Sequence, residues 1–595
     1  MTRNEKLAAL RTKMREHHLD AWLIPSADPH LSEYLPEHWQ TRAWFSGFTG
    51  SVGTVVVTQN AAALWADSRY WEQAEQQLSG SEIVLEKLGL GRNHIDWLLE
   101  KLPENSCVGV AADTLSLAEH NQLCHQFAAK NMVLNMQYDL AGALWTDRPA
   151  LPVAPIYCHA AEFVSHSAAE KLARVRDAMR EHGVQQHFIS ALDDIAWLTN
   201  LRGNDVVFNP VFLAHLLIDA HTAVLFVDKN KLSTEVQAAL NAAEIAVQPY
   251  EAAGDALAQL SGSLLLEANK TAMSLLQRLP ENVQIVDKIL PSTLFKGQKT
   301  PQDIAHIRQA MLQDGVALCG FFADLEHKLA QHERITECDI DTMLYQHRST
   351  QPHFVSASFD TIAGFNANGA MPHYRAEPET CSVIEGNGLL LIDSGAQYFN
   401  GTTDITRVIP IGTTTTAQKR DFTLVLKAHI ALATAVFPEN IASPLLDTIC
   451  RKPLWQAQCD YGHGTGHGVG YFLNVHEGPQ RIAHQAPVMP HHAMKVGMLT
   501  SNEPGLYRAG QWGIRIENLV VNQKVEQPQE NAFGTFLYFE TITLCPIDTR
   551  LVLPEMLSMD EREWLNTYHK RVRHELENHV EGAAKAWLIA RTAAI

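Results

Sequence analysis

In "GLLLIDSGAQYFNGTTDITRVI" an apolar strand runs into Asp393, and a turn carrying Asn400-Gly401 leads to a second strand with Asp404, so that the two acids can face one another across a hairpin. An aspartate at the end of an all-apolar strand is expensive to bury unless it is paired or metal-bound. The plainer alternative is two solvated aspartates flanking a turn. "TSNEPGLYRAGQWGIRIENLVV" repeats the arrangement with glutamates. Glu503 stands just before the Pro504-Gly505 turn, and alternation along "GIRIENLVV" sets Ile514 and Ile516 on one face and Arg515 and Glu517 on the other. Here the plain alternative is a surface pair in which Arg515 neutralises Glu517.

Between these acids lies "YGHGTGHGVG", residues 461–470, with five glycines and with His463 and His467 four apart. On a helix that spacing would put both imidazoles on one face, but each glycine costs a helix roughly 1 kcal/mol relative to alanine. The stretch instead predicts a tight turn in which missing side chains let something approach the backbone. A glycine-rich surface loop with two solvated histidines is the competing reading.

Together, Asp393, Asp404, Glu503, Glu517 and one histidine of the turn offer four oxygen ligands and one nitrogen ligand. Four clustered carboxylates repel one another and raise one another's pKa values, and two divalent cations cancel four negative charges. A mostly oxygen set with one imidazole and no thiolate suits manganese, with cobalt, iron and zinc as alternatives.

These residues need a scaffold. At 595 residues the chain is too long for one core, and ~150 residues per domain predicts three or four domains. Proline-containing breaks at "TDRPALPVAPIY" (146–157) and "LPSTLFKGQKTP" (290–301) delimit segments 1–150, 151–300 and 301–595, the last with a helical tail from about 550. After the second break Thr300 reads as an N-cap, with Pro301 at the first helical position and Asp303 at the third. "SVGTVVVTQNAAALWADSRYW" and "AHLLIDAHTAVLFVDKNKL" both read as strand, polar turn, strand, which makes the first two segments α/β and suggests a duplicated fold. "EKLARVRDAMREHG" is an amphipathic helix ending at Gly183, and Trp564, Tyr568, Val572 and Leu576 form a helical stripe in the tail.

Lys plus Arg number 47 against 66 Asp plus Glu, a formal net charge of -19 that repels phosphate backbones and anionic lipid. Neither a nucleic-acid nor a membrane partner is expected. The amino terminus "MTRNEKLAAL" lacks an apolar core with a cleavage site, and no run approaches the ~18 apolar residues of a membrane span, which reads as cytoplasmic. Nine cysteines, odd in number and without a CxxC pair, frame neither a disulfide scaffold nor a zinc knuckle; Cys450 and Cys459 read as free thiols.

The order Asp, Asp, His, Glu, Glu in "IDSG", "TTDITR", "HGTGHGVG", "NEPG" and "GIRIEN" resembles the pita-bread metallopeptidases, most closely the three-domain aminopeptidase P (Xaa-Pro aminopeptidase) family. The likeness extends to "PSADPHLSEY", "FSGFTGS", "WADSRYW", "RGNDVVFNPVF", "FLNVHEGP" and "WLNTYHKRV". It implies an α/β (α+β) chain: two creatinase-like N-terminal α/β domains, then a pita-bread catalytic domain with a C-terminal helical extension. It implies that Asp393, Asp404, His467, Glu503 and Glu517 hold two divalent metals, with Asp404 and Glu517 bridging. His463, His373 in "AMPHYR" and His476 in "NVHEGP" are then expected to line the substrate site, and Arg69 in "DSRY" to reach the peptide. His467 and Arg515 are further expected substrate contacts. Met371-Pro372 before His373 departs from the small or aliphatic residues of many relatives.

The implied reaction releases the first residue from peptides with proline second. A metal-activated hydroxide attacks the scissile carbonyl, Glu503 is the general base, His463 and His476 hydrogen-bond to the intermediate, and His373 helps move a proton to the leaving nitrogen. A prolidase restricted to dipeptides and a non-catalytic peptide-binding module are the alternatives; the middle segment favours the aminopeptidase. Relatives of this length are often dimers, so a homodimer is expected.

Overall fold

The computed structural model describes residues 1–595 except 90, 528, 529 and 531. The chain divides into two compact units, Met1–His159 with His166–Ser292, and Ala160–Ser165 with Thr293–Ile595.

The first unit holds two six-stranded sheets of the same design. In one, Ala21–Pro25 pairs antiparallel with Thr54–Thr58 and parallel with Cys107–Val110. In the other, Gln186–Ile189 pairs antiparallel with Ala214–Asp219 and parallel with Ser263–Leu266. Each antiparallel partner continues into a hairpin, Thr54–Thr58 with Ala62–Ala66 and Ala214–Asp219 with Ala223–Val227. A parallel edge strand then joins each hairpin, so the strand order is the same in both sheets. The two echoing strand–turn–strand segments therefore belong to a duplicated lobe. Val55, Val56 and Val57 are fully buried, each worth ~1.5–3 kcal/mol of transfer free energy. The helix Ala168–Glu181 starts on a Ser167–Glu170 capping box, and Gly183, at φ 65°, turns the chain away after it.

The second unit is α+β, with antiparallel sheets. Thr300 and Asp303 form the expected capping box and Pro301 opens a helix running to Ala330. The second break is not a plain loop: Pro291–Gly297 is helical, as a proline at the first position of a helix allows. Gly388–Ser394 pairs with Ile405–Ile411, placing Asp393 opposite Thr406, and Ile362–Phe365 flanks the same sheet. Within the excursion between them Tyr398 pairs with Gly401, so the tight turn is Phe399-Asn400, one residue earlier than expected. Gly401 serves packing instead, since a Cβ there would meet Ala310 of the long helix at 2.9 Å.

A six-stranded sheet completes the unit, in the order Val436–Pro438, Phe536–Thr541, Asn518–Lys524, Leu499–Asn502, Gly466–Gly468, Glu477–Ile482. The tail helices Met559–Leu576 and Gly582–Arg591 pack on its core, with Tyr568, Val572 and Leu576 buried and Trp564 partly so. No described helix is long and apolar enough to cross a membrane.

Candidate metal centre

The apolar strand Gly388–Ser394 is buried along its whole length, so Asp393 is carried inside at 8% exposure. Asp404 precedes the partner strand and is 5% exposed, while Glu517 is 1% exposed. Glu517 does not sit within one continuous strand: Trp512–Arg515 and Asn518–Lys524 are separate, and the break turns Glu517 inward. Donor atoms of Asp404, His467 and Glu517 all lie within 4.8 Å of one another. His467 Nε2 is 3.6 Å from Asp404 Oδ2 and 3.4 Å from Glu503 Oε1.

The glycine-rich stretch answers its puzzle differently from expectation. Gly466–Gly468 is a strand, and the backbone that approaches it belongs to its neighbours. A Cβ at Gly466 would lie 2.0 Å from Ser501 O, and one at Gly468 2.2 Å from Glu477 O. The missing side chains let three strands close around His467. Its Nδ1 lies 2.9 Å from Gly468 O, which fixes the proton on Nδ1 and leaves the Nε2 lone pair facing the carboxylates. Ser501 accepts from His467 N at 3.0 Å and donates to Glu503 Oε1 at 3.2 Å, joining two of the expected ligands.

Burial, with Asp393 and Glu503 next, pushes the Asp404 carboxyl well above the usual carboxylate range. Burial, then Asp404 and Asp393, does the same to Glu517. Glu503 is pushed up to about 7 by burial first, Arg515 opposing and Asp393 adding to it. One guanidinium therefore faces four acids. Among the described residues Asp393 Oδ1 is buried with no hydrogen-bond partner. Four oxygen donors short of positive charge, an orphaned carboxylate oxygen and an imidazole lone pair fit a pair of divalent cations.

Arg515 is 2% exposed and does not neutralise Glu517 in a surface pair. Its Nη2 donates to Asp393 Oδ2 at 2.6 Å and to Pro372 O at 3.3 Å, its Nε to Thr406 Oγ1 at 3.1 Å, and its Nη1 to Tyr507 OH at 2.7 Å. Thr406 in turn donates to Glu517 Oε2 at 2.8 Å. Tyr507 OH is 2.8 Å from His463 Nε2, so His463 reaches the centre through Tyr507 and Arg515. His476 sits edge-on to His467, ring centroids 4.4 Å apart. His373 is half-buried next to the anchored Pro372, and the unusual Met371 is part of the core. Arg69 lies in the first unit, where it pairs with Asp67 at 2.8 Å.

Several positioning residues escaped sequence reasoning. Arg407 donates to Glu517 O at 2.7 Å, Asn518 Oδ1 at 2.8 Å, Cys545 O at 2.7 Å and Tyr568 OH at 3.0 Å, tying the tail helix to the backbone of Glu517. His429 donates from Nδ1 to Ile516 O at 3.1 Å and accepts from Asn518 at Nε2, while its carbonyl accepts from Asn502 at 3.0 Å. It thus holds the segments bearing both glutamates. Burial pushes the His429 imidazole down to about 3, keeping it neutral for this double role. Arg451, stacked over Tyr461, donates to His463 O at 2.6 Å and to Asp447 Oδ2 at 2.8 Å. The only signal for these was a charged or polar residue in an apolar run.

Residues 305–524 match metallopeptidase family M24, 6–136 and 147–303 match the creatinase/prolidase N-terminal domain, and 535–595 match the C-terminal region of M24 peptidases. The chain belongs to metallopeptidase family M24, as a pita-bread enzyme with two creatinase-type N-terminal domains. It is 38% identical to Aminopeptidase P2 of Arabidopsis thaliana over 98% of this chain and 88% of that protein. It is 35% identical to Xaa-Pro aminopeptidase 1 of Dictyostelium discoideum over 96% and 93%. Among solved structures it aligns with TM-score 0.94 and 31% identity, over 100% of both chains, to X-prolyl aminopeptidase from Caenorhabditis elegans, described as a cytosolic enzyme with a di-nuclear active site.

Proposed function

We infer that the protein is a cytoplasmic, homodimeric Xaa-Pro aminopeptidase in which Asp393, Asp404, His467, Glu503 and Glu517 would hold two manganese ions. The observation that carries this reading is the convergence of Asp404, His467 and Glu517 donors within 4.8 Å, with Glu503 and Asp393 alongside. Bound cations supply Lewis-acid polarisation of the scissile carbonyl and ready activation of water.

The chain's own groups do the rest. Glu503, whose Oε1 lies 3.4 Å from His467 Nε2 and accepts from Ser501 at 3.2 Å, is placed to take a proton from the attacking water. His476, against His467, donates a hydrogen bond to the oxygen on which charge develops, while His463 acts on the centre through Tyr507 and Arg515. His373 delivers a proton to the leaving nitrogen. That nitrogen is proline's, without the N–H by which ordinary peptidases grip substrate, so the ring and the flanking carbonyls must be recognised instead. Arg515 holds Asp393 and the Pro372 carbonyl in place.

The experiment is turnover of Xaa-Pro against Xaa-Pro-Yaa peptides by the manganese-loaded chain, with and without chelator. Metal-dependent release of the first residue from the longer peptides is expected. Cleavage restricted to dipeptides would make it a prolidase, and none at all would leave a binding module.

A further inference from the structure

Away from the carboxylates, two cysteines meet across segments that the reaction does not use. Thr336 and Val383 form an antiparallel bridge, flanked by hydrogen bonds from Glu337 N to Ser382 O at 3.0 Å and from Ile384 N to Ile335 O at 2.8 Å. Cys338 follows Glu337 at the start of the helix Glu337–Arg348 and Cys381 precedes Ser382, so the paired backbones of Glu337 and Ser382 bring the two cysteines side by side. The Cys381 side chain is the neighbour that acts on the Cys338 thiol. Both residues are half-buried, open to a small reagent, whereas Cys319, Cys450 and Cys545 are buried. Among the described residues the one group of three or more close metal-donor side chains is Asp404, His467 and Glu517, so the pair is a dithiol rather than part of a metal site.

The position of the pair gives it leverage. The Glu337 carboxylate, next to Cys338, accepts from Phe365 N at 2.6 Å, Tyr374 OH at 2.9 Å and Ser382 N at 2.7 Å. Both ends of the loop 366–384 therefore converge on the first turn of the helix Glu337–Arg348, and this loop carries His373.

We propose that Cys338 and Cys381 form a reversible disulfide by exchange with a low-molecular-weight disulfide, stapling the His373 loop to the start of the helix Glu337–Arg348. The first thiolate attacks the reagent RSSR, forming a mixed disulfide and releasing RSH after protonation. The second thiolate attacks the protein sulfur of that mixed disulfide and releases the second RSH. Two thiols lose two electrons and two protons, and RSSR gains them. Burial, then the Cys381 sulfur, pushes the Cys338 thiol up, so the exchange quickens as pH rises.

The test equilibrates the full, manganese-loaded chain with glutathione and glutathione disulfide at graded ratios, followed by peptide mapping without reduction. A cross-linked pair of peptides containing Cys338 and Cys381, lighter by two hydrogens and reversed by dithiothreitol, is expected. Cys338→Ser should stop at a glutathione adduct on Cys381, and Cys381→Ser should give no cross-link. The stapled form should show slower hydrogen exchange over 366–384 and a melting midpoint higher by on the order of 5 °C. Xaa-Pro-Yaa turnover, a readout that rests on the proposed function, should fall by about threefold or more with the same redox midpoint. Adducts at Cys338 or Cys381 without a cross-link, or unmodified thiols while exposed Cys124 reacts, would overturn the proposal. A bond that leaves both loop exchange and turnover unchanged would overturn its role as a switch. Because the bond is read by mass, its failure is distinct from a failure of the peptidase assignment.

Discussion

Two buried polar clusters, one in each compact unit, solve the problem of interior charge in opposite ways. In the first unit Asp205 is met by Lys231 at 2.6 Å, both side chains almost fully buried. His30 has Ser190 O at 2.8 Å on one ring nitrogen and Tyr250 OH at 2.8 Å on the other, and stacks on His215. In the second unit Asp393, Asp404, Glu503 and Glu517 crowd around Arg515. A cluster whose acid is answered by a lysine within the chain holds a fold together. One that gathers acids without enough cations is built for something added later.

Substitutions should therefore act with opposite sign at the two places. The largest effect is expected at the centre: Asp404→Asn lowers kcat/KM for Xaa-Pro-Yaa peptides on the order of a thousandfold. Yet at pH 7 the metal-free variant melts higher than metal-free wild type, because a buried group with a raised pKa has been replaced by a neutral isostere. Calorimetry of both chelated proteins checks this, and a lower midpoint for the variant would erase the contrast. In the first unit Lys231→Met leaves Asp205 buried and unpaired, and should destabilise by about 3–5 kcal/mol in urea titration.

Acid sharpens the comparison further. Burial holds His30 and His215 below the ordinary histidine range. Unfolded, both take up protons near pH 6.5, so their contribution is complete above that pH and is lost as pH falls below it, by at most about 1.4 kcal/mol per pH unit for each histidine. Hydrogen exchange of Ala214–Asp219 at pH 7.5 and 5.5 reads the effect. Protection that is equal at the two values would contradict it.

A smaller change is expected at His429, which touches no expected ligand but anchors the neighbours of Glu503 and Glu517. His429→Ala should weaken manganese binding about 10–100-fold while leaving Lys231 and its surroundings untouched. Titration calorimetry measures the affinity.

Asp393 as a buried acid was legible in the sequence because an acid at the end of an apolar run is too costly to bury without a cation to meet it. It follows "GLLLI", whereas Glu517 was placed by the alternation along "GIRIENLVV". The duplicated lobes were legible for a similar reason, since a strand–turn–strand pattern is local. What was hidden depends on contacts between distant segments. Arg515 was expected beside Glu517, two residues away, and is bound to Asp393, because the strand breaks at 516–517. The glycines around His467 admit neighbouring strands, which no local pattern could specify. Arg407 and His429 act on residues some 70 to 160 positions away, and their types alone suit many other roles.

The most direct test is anomalous diffraction from crystals of the manganese-loaded chain. Two peaks are expected, both within coordinating reach of Asp393, Asp404, His467, Glu503 and Glu517, and both lost in Glu517→Gln. Peaks elsewhere, or none in a protein that still cleaves Xaa-Pro-Yaa peptides in chelator, would contradict the reading of these four carboxylates as a metal cage.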